Sequence, residues 1–250
     1  MTTTQITVRP ALVTGASRGF GRAIATALIR AGLPVVGVAR DGAALQGLRA
    51  ELGGSFTPVA ADAADPVVAG QLTDAYRPGL LVLNAGAAPL PRPIQQHTWQ
   101  TFSRNWDVDV QHVFGWIREA LLAPLDPGSL VITLSSGAAV RGSPLSGGYA
   151  GAKATVRFIT AYAAAEAERD GLGIRFVSLL PQLTPVTQLG AAAVAAYAAR
   201  EKMETSAYLD RAGPVLTAEQ AGQAVLDLAA SDGGAQGAYL LTAAGLSPAP

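Results

Sequence analysis

Residues 11–21 read A-L-V-T-G-A-S-R-G-F-G. The apolar run Ala11–Val13 predicts a strand, Thr14–Gly21 a glycine-rich turn, and Arg22–Ala31 a helix stopped by Gly32. Gly15, Gly19 and Gly21 are spaced G-x-x-x-G-x-G, with Ser17, Arg18 and Phe20 between them. Glycine lets a backbone turn tightly and come close to a pyrophosphate. The helix start that follows offers unpaired N–H groups and a positive dipole end. A strand before the turn and a helix after it are the context expected of a dinucleotide site.

The alternation continues outward from this unit. Strands are predicted at Val35–Ala39, Phe56–Ala60, Leu80–Leu83, Leu130–Leu134, Ile174–Leu179 and Tyr239–Leu241. Helices are predicted at Gly42–Leu52, Pro66–Tyr76, Trp99–Leu122 (broken near its start) and from Tyr149 to about Arg169. Connections that carry helices favour parallel strands, and strands without clean alternation fit a sheet covered on both faces. The expected fold class is therefore α/β, a doubly wound and mainly parallel sheet, with residues 1–250 forming one domain. Catalytic groups belong at the carboxyl ends of the strands, where strand order reverses. Pro181–Gly190 reads as the most mobile loop, and segment 181–212, with its Ala-rich helix, as a cover for the substrate.

Composition narrows the function. Lys+Arg and Asp+Glu are equal at 18 each, so no single-sign field is available to hold a nucleic acid. The absence of cysteine excludes disulfides, thiolate nucleophiles and thiolate-bound zinc. The first ten residues lack the apolar run of a signal peptide, and no apolar stretch approaches the ~20 residues that cross a bilayer. A cytoplasmic protein with no membrane partner is expected. The two histidines, His97 and His112, form no metal-ligand constellation and are expected on the surface or in local hydrogen bonds. Tryptophan and phenylalanine are expected in core or pocket walls rather than as base-stacking platforms.

The second strand ends V-G-V-A-R-D. An NAD site wants a carboxylate there for the ribose 2′-hydroxyl, but Ala39 occupies the position and Arg40 follows it. Arg40 and Arg18 suit a 2′-phosphate, because guanidinium binds phosphate as a fork, so NADP(H) is the expected cofactor. Asp41 lies beyond the strand and is read as a helix cap. Asp62 closes the third strand and can accept from an adenine amino group, or else cap a turn. Asn84-Ala85-Gly86 ends the fourth strand, with small residues to pass under a cofactor and Asn84 to brace neighbouring backbone.

At the reacting end, Tyr149 and Lys153 stand four residues apart in G-Y-A-G-A-K, on one helical face. A tyrosine of ordinary pKa near 10 is a poor base at neutral pH, and a neighbouring ammonium and a nicotinamide cation favour its phenolate. Tyr149 can then exchange a proton with an alcohol or alkoxide while Ser136, at the end of the fifth strand, orients the oxygen. The hydride chemistry is the cofactor's.

Jointly, T-G-A-S-R-G-F-G, L-N-A-G-A, S-S-G-A-A and Y-A-G-A-K make the chain resemble the classical short-chain dehydrogenases/reductases over nearly its whole length. The resemblance implies a single Rossmann-like domain with a seven-stranded parallel sheet. It implies catalytic roles for Ser136, Tyr149 and Lys153, with Lys153 also on the nicotinamide ribose. Cofactor positions map to Gly15, Gly19, Gly21, Asp62 and Asn84. It further implies a homotetramer or dimer, built partly by the helices carrying Asp109 and Lys153.

Two positions depart from the family pattern. Asp109 stands where an asparagine commonly helps to hold a relay water. A carboxylate there can pair with Lys153, or can oppose a nearby phenolate by like-charge repulsion. Gln182 stands where Pro-Gly is usual, and Thr184 or Thr187 is expected to meet the nicotinamide carboxamide. The substrate pocket is drawn from Ser136–Ser143, Ala87–Ile94 and Gln182–Tyr197. With no cation cluster there, the substrate is expected to be a neutral or mildly polar carbonyl compound or secondary alcohol, unless Arg92 and Arg141 both point inward. The leading expectation is an NADP-dependent oxidoreductase with Tyr149 as general acid/base. A nucleotide-binding regulator that lost turnover through Asp109 and Gln182 is the alternative, and epimerisation or dehydration is a less expected third.

Overall fold

The computed structural model describes residues 9–231 and 237–250. One sheet contains β1 (Ala11–Thr14), β2 (Val35–Ala39), β3 (Phe56–Ala60), β4 (Leu80–Leu83), β5 (Leu130–Leu134), β6 (Arg175–Pro181), β7 (Gly237–Thr242) and β8 (Gly245–Pro248). Their order is β3-β2-β1-β4-β5-β6-β7-β8, so it reverses between β1 and β4. Every pairing is parallel except β7 with β8. The seven expected strands are joined by this eighth, an antiparallel return at the sheet edge. Gly245, at φ 107, supplies the left-handed residue that closes the hairpin.

Adjacent residues on one strand feed two separate cores. Ala11 and Val13 pack with α1 (Gly19–Arg30), α2 (Gly42–Leu52) and α10 (Ala218–Ala230) on one face. Leu12 packs with α3 (Pro66–Tyr76), α5 (Gln111–Leu122) and α7 (Gly148–Arg169) on the other. This is why β1, β2, β4 and β5 are buried at every position and carry no polar face. Helices α1 and α10 touch closely, since a Cβ on Gly222 would lie 2.8 Å from the Ala27 methyl carbon.

The long helix expected over 99–122 is three pieces. Helix α4 (Trp99–Asn105) starts on a Thr98/Thr101 capping box, a π turn spans Trp106–Val110, and α5 follows without a gap. A π turn widens the helix by one residue and re-aims the side chains on it. After β5 come a single turn, α6 (Ala138–Arg141), then α7, and after β6 the helices α8 (Gln188–Arg200) and α9 (Thr205–Ala212). No helix among the described residues is long and apolar enough to cross a membrane.

Candidate active site

The carboxyl ends of β1 and β4 meet at the strand-order reversal, and Thr14 locks them together. Its hydroxyl donates to Val82 O (3.3 Å) and accepts from Asn84 N (2.9 Å) and Ala85 N (3.1 Å). Asn84 Nδ2 returns two bonds, to Thr14 O at 3.0 Å and Gly15 O at 3.3 Å. Asn84 thus braces the glycine-rich turn. That turn needs its glycines: Gly15 (φ 68) and Gly19 (φ 54) are left-handed, and a Cβ on Gly21 would lie 2.2 Å from Gly15 O. No side chain caps the start of α1 at Arg18, so its first N–H groups face the sheet edge without a capping partner. An open cradle with unpaired donors fits a dinucleotide pyrophosphate.

Around the cradle, Arg18 Nη1 donates to Gln188 Oε1 at 3.0 Å, tying the turn to α8. Arg40 is exposed and makes no ion pair among the described residues. Asp41 caps α2 through Ala44 N at 3.0 Å, as its place beyond the strand suggested. Asp62 accepts from Ala64 N at 3.0 Å with one oxygen. Ser17 is half-buried, and Phe20 packs against the first core.

Helix α7 carries Tyr149 and Lys153 to the same end of the sheet. Gly147 (φ 53) turns the chain into it, and Gly148 admits α4 so closely that a Cβ would overlap Phe102 O at 1.8 Å. Tyr149 is half-buried, whereas Lys153, one turn on, is buried. Lys153 Nζ donates to Leu134 O at 2.9 Å, lies 3.2 Å from Asp109 Oδ2 and 5.7 Å from the Tyr149 ring centroid. Ser135 donates to Lys153 O at 2.8 Å and so pins α7 to β5. Ser136, its neighbour, is half-buried and accepts from Ala138 N at 3.2 Å.

Asp109 sits on the π turn, 1 % exposed. Its Oδ1 accepts from Ala87 N at 2.7 Å, and Gly86 passes so near that a Cβ there would be 3.0 Å from the carboxylate. Asn105 donates to Ala87 O at 2.8 Å. The N-A-G-A-A segment after β4 is therefore fastened through the backbone N of Ala87 to the π turn and through its backbone O to the end of α4. Burial alone would lower the Lys153 pKa, but the Asp109 carboxylate, then Tyr149 and the direct contact with Asp109, outweigh it and hold the ammonium above the ordinary lysine range.

His112 corrects an expectation. It is not on the surface: the ring is 1 % exposed, the Ala85 backbone is a polar partner, and neither nitrogen makes a well-directed hydrogen bond among the described residues. Desolvation first, then the Lys153 charge, push its pKa down from 6.5 to about 3, against a small opposing effect of the Ala85 backbone. The unfolded histidine binds a proton between those values that the folded one refuses. Stability from His112 is therefore complete above pH 6.5 and falls as pH drops toward 3, by roughly 1.4 kcal/mol per unit. Chemical denaturation at pH 6.5 and 5.0 is expected to show a loss about 2 kcal/mol larger in the wild type than in His112→Phe. Equal losses would mean that the folded ring is free to protonate.

The segment after β6 is anchored. Gln182 donates to Pro214 O at 2.9 Å, Thr184 donates to Leu216 O at 2.6 Å, and Thr187 caps α8 through Gly190 N at 3.0 Å. Tyr197 of α8 meets Ser143 hydroxyl to hydroxyl and stacks on Tyr208 at 6.3 Å. Desolvation first, then Tyr208 and Tyr149, push the Tyr197 pKa up, so this second phenol stays neutral close to the first. Arg92 and Arg141 are exposed. Thr14, Asn105 and Ser135 were given no role from sequence, His112 was not placed at the site, and Tyr197 entered only as the end of a pocket segment. Thr14 stands in the quoted turn motif itself, and the others become visible only through tertiary contact.

Comparison with known proteins agrees with this geometry. The family described as short chain dehydrogenase matches residues 9–198. The D-erythrulose reductase of Gallus gallus is 36 % identical over 49 % of this chain and 51 % of that protein, so the match spans only about half its length. The serine 3-dehydrogenase of Rhizobium radiobacter is 34 % identical over 68 % of this chain and 70 % of its own. The L-xylulose reductase of Bos taurus is 31 % identical over 72 % and 74 %. In fold, a 3-ketoacyl-(acyl-carrier-protein) reductase from Brucella melitensis, solved with NADH, superposes with a TM-score of 0.76 at 24 % identity, over 92 % of this chain and 94 % of that one. The turn, the Tyr149–Lys153 helix and these matches lead to one conclusion: the chain belongs to the short-chain dehydrogenase/reductase family of oxidoreductases.

Proposed function

We propose that this protein uses NADP(H) to interconvert a small neutral, hydroxylated carbonyl compound and its alcohol, with Tyr149 as general acid/base. The observation that carries the reading is Lys153, buried between Leu134 O (2.9 Å) and Asp109 (3.2 Å) with its ammonium 5.7 Å from the Tyr149 ring. The bound nicotinamide supplies or receives the hydride. In reduction Tyr149 gives its hydroxyl proton to the substrate oxygen as the carbon gains hydride, and in oxidation it takes that proton back. Lys153 offsets the negative charge then left on the phenol oxygen. Ser136 donates to the same substrate oxygen.

Gly15, Ser17, Gly19, Phe20 and Gly21 form the pyrophosphate turn in this reading, with Asn84 and Gly86 beneath the cofactor, Asp62 toward the adenine, Lys153 on the ribose and Thr184 near the carboxamide through its backbone. Arg40 and Arg18 take the 2′-phosphate. Because Arg18 is already engaged by Gln188, the exposed Arg40 carries more of the preference. Arg40→Asp is expected to cut the NADPH-over-NADH ratio of kcat/KM by about 10–100-fold, the worth of a ~1.5–3 kcal/mol bond to a charged group. An unchanged ratio would remove Arg40 from the cofactor site.

The hydroxylated substrate is supported by the hydroxyl groups of Ser143 and Tyr197 beside Tyr149, and by relatives named for erythrulose and xylulose reduction. Segment 181–212 covers it, within a single domain over 1–250. Exposed Phe114 and Leu122 on α5, with Phe158 and Tyr162 on α7, support pairing of these helices in a homodimer or tetramer. A panel of hydroxyketones, plain ketones and keto acids, assayed by loss of NADPH absorbance, tests the reading. Faster turnover of charged keto acids than of neutral hydroxyketones would reject the substrate class.

A further inference from the structure

His112 is an ionisable group beside the reacting centre that the proposed chemistry does not use. Four buried side-chain polar atoms among the described residues have no hydrogen-bond partner. One is Thr73 Oγ1 on α3, and the other three are Asp109 Oδ2 and both nitrogens of His112. The two residues lie three apart on one continuous helical run, where the π turn passes into α5. Also near the ring are Lys153 from α7, the Ala85 backbone just beyond β4, which favours the protonated ring, and Trp116, edge-on at 6.3 Å.

Asp109 and His112 both face Lys153, and buried polar atoms without a well-directed partner are commonly satisfied by an internal water, because an orphaned group otherwise carries a desolvation cost. A neutral imidazole has the N–H donor that a carboxylate lacks. Asp109 Oδ1 is already committed to Ala87, and Lys153 approaches Oδ2 without a well-directed hydrogen bond. We propose that His112 is a positioning residue: through one buried water, its N–H holds Oδ2 of Asp109 and fixes that carboxylate against Lys153. The kinetic consequence rests on the hydride-transfer reading above, and the contact itself does not.

The chain has only two histidines, so protein labelled with ¹⁵N-histidine gives two imidazole signals, His97 and His112. The expected result, without cofactor or substrate, is a slowly exchanging His112 N–H with a cross-peak to a long-lived water. Its ¹⁵N shift moves in Asp109→Asn, while that of His97 does not. In turnover, His112→Phe is expected to lower kcat about tenfold with little change in cofactor KM and to displace the pH profile of kcat/KM. His112→Asn, which keeps an N–H donor, recovers most of the loss. Absence of the water cross-peak, or a His112→Phe enzyme with wild-type kcat and pH profile, overturns the proposal. An enzyme that transfers no hydride to any carbonyl overturns the reaction instead, and the histidine spectrum still decides the contact.

Discussion

Tyr149→Phe is expected to lower kcat by about 10²–10⁴-fold, the usual contribution of a positioned general acid/base, while cofactor affinity stays close to wild type. The substitution removes one oxygen from a half-buried ring and leaves the helix, the glycine-rich turn and the Lys153 pocket in place. The loss therefore reads proton transfer rather than folding. Ser136 and the neighbouring Tyr197 have hydroxyls, but Ser136 has no ammonium behind it and Tyr197 is pushed toward its neutral form by burial. Neither replaces the missing phenol. Pre-steady-state mixing of NADPH with a good carbonyl substrate, with cofactor binding measured separately, checks this. Undiminished turnover would remove Tyr149 from the chemistry.

Asp109→Ala is expected to cost about 3–5 kcal/mol of stability, because it strands a buried ammonium without its counter-charge. Lys153 is 6 % exposed, and its remaining polar contacts are Leu134 O and the Tyr149 ring face. With Asp109 gone, burial dominates and lowers the folded-state pKa of Lys153 below its unfolded value. A depressed folded pKa makes stability fall as pH drops, so the deficit is largest near neutral pH and shrinks on the alkaline side. Ala87 N also loses its acceptor, which adds to the penalty. Asp109→Asn keeps an acceptor for Ala87 and is expected to lose less. Equilibrium denaturation of both variants at pH 7 and 9.5 checks the order and the trend. If Asp109→Asn keeps the wild-type activity and pH profile, the carboxylate has no direct part in moving protons.

Much of this arrangement was legible in residues read singly. Strands Val35–Ala39, Phe56–Ala60, Leu80–Leu83 and Leu130–Leu134 fall where the apolar runs put them. Turn-forming residues bound each run. Helices α2 and α3 begin where Asp41 and Asp65 cap them. Strand β8 was missed because G-L-S-P lacks the apolar content of a strand and is held only by the hairpin to β7. The π turn was missed because W-D-V-D-V repeats like an ordinary helix, and only the backbone ladder distinguishes the two. The inward side of α5 was partly readable. The stripe Val113, Trp116, Ile117 and Ala120, carried back one turn, reaches His112 and Asp109. Sequence gave no sign that these two polar residues share a buried pocket, since that depends on Lys153 arriving from α7.

NADPH deuterated at the transferred C4 position, in each of its two stereochemical forms, follows the hydride directly. Reduction of a neutral hydroxyketone is predicted to place deuterium on the former carbonyl carbon from one of the two forms, and Tyr149→Phe to form that labelled product far more slowly. Product formed at the normal rate with deuterium from neither form would contradict hydride transfer as the reaction of this site.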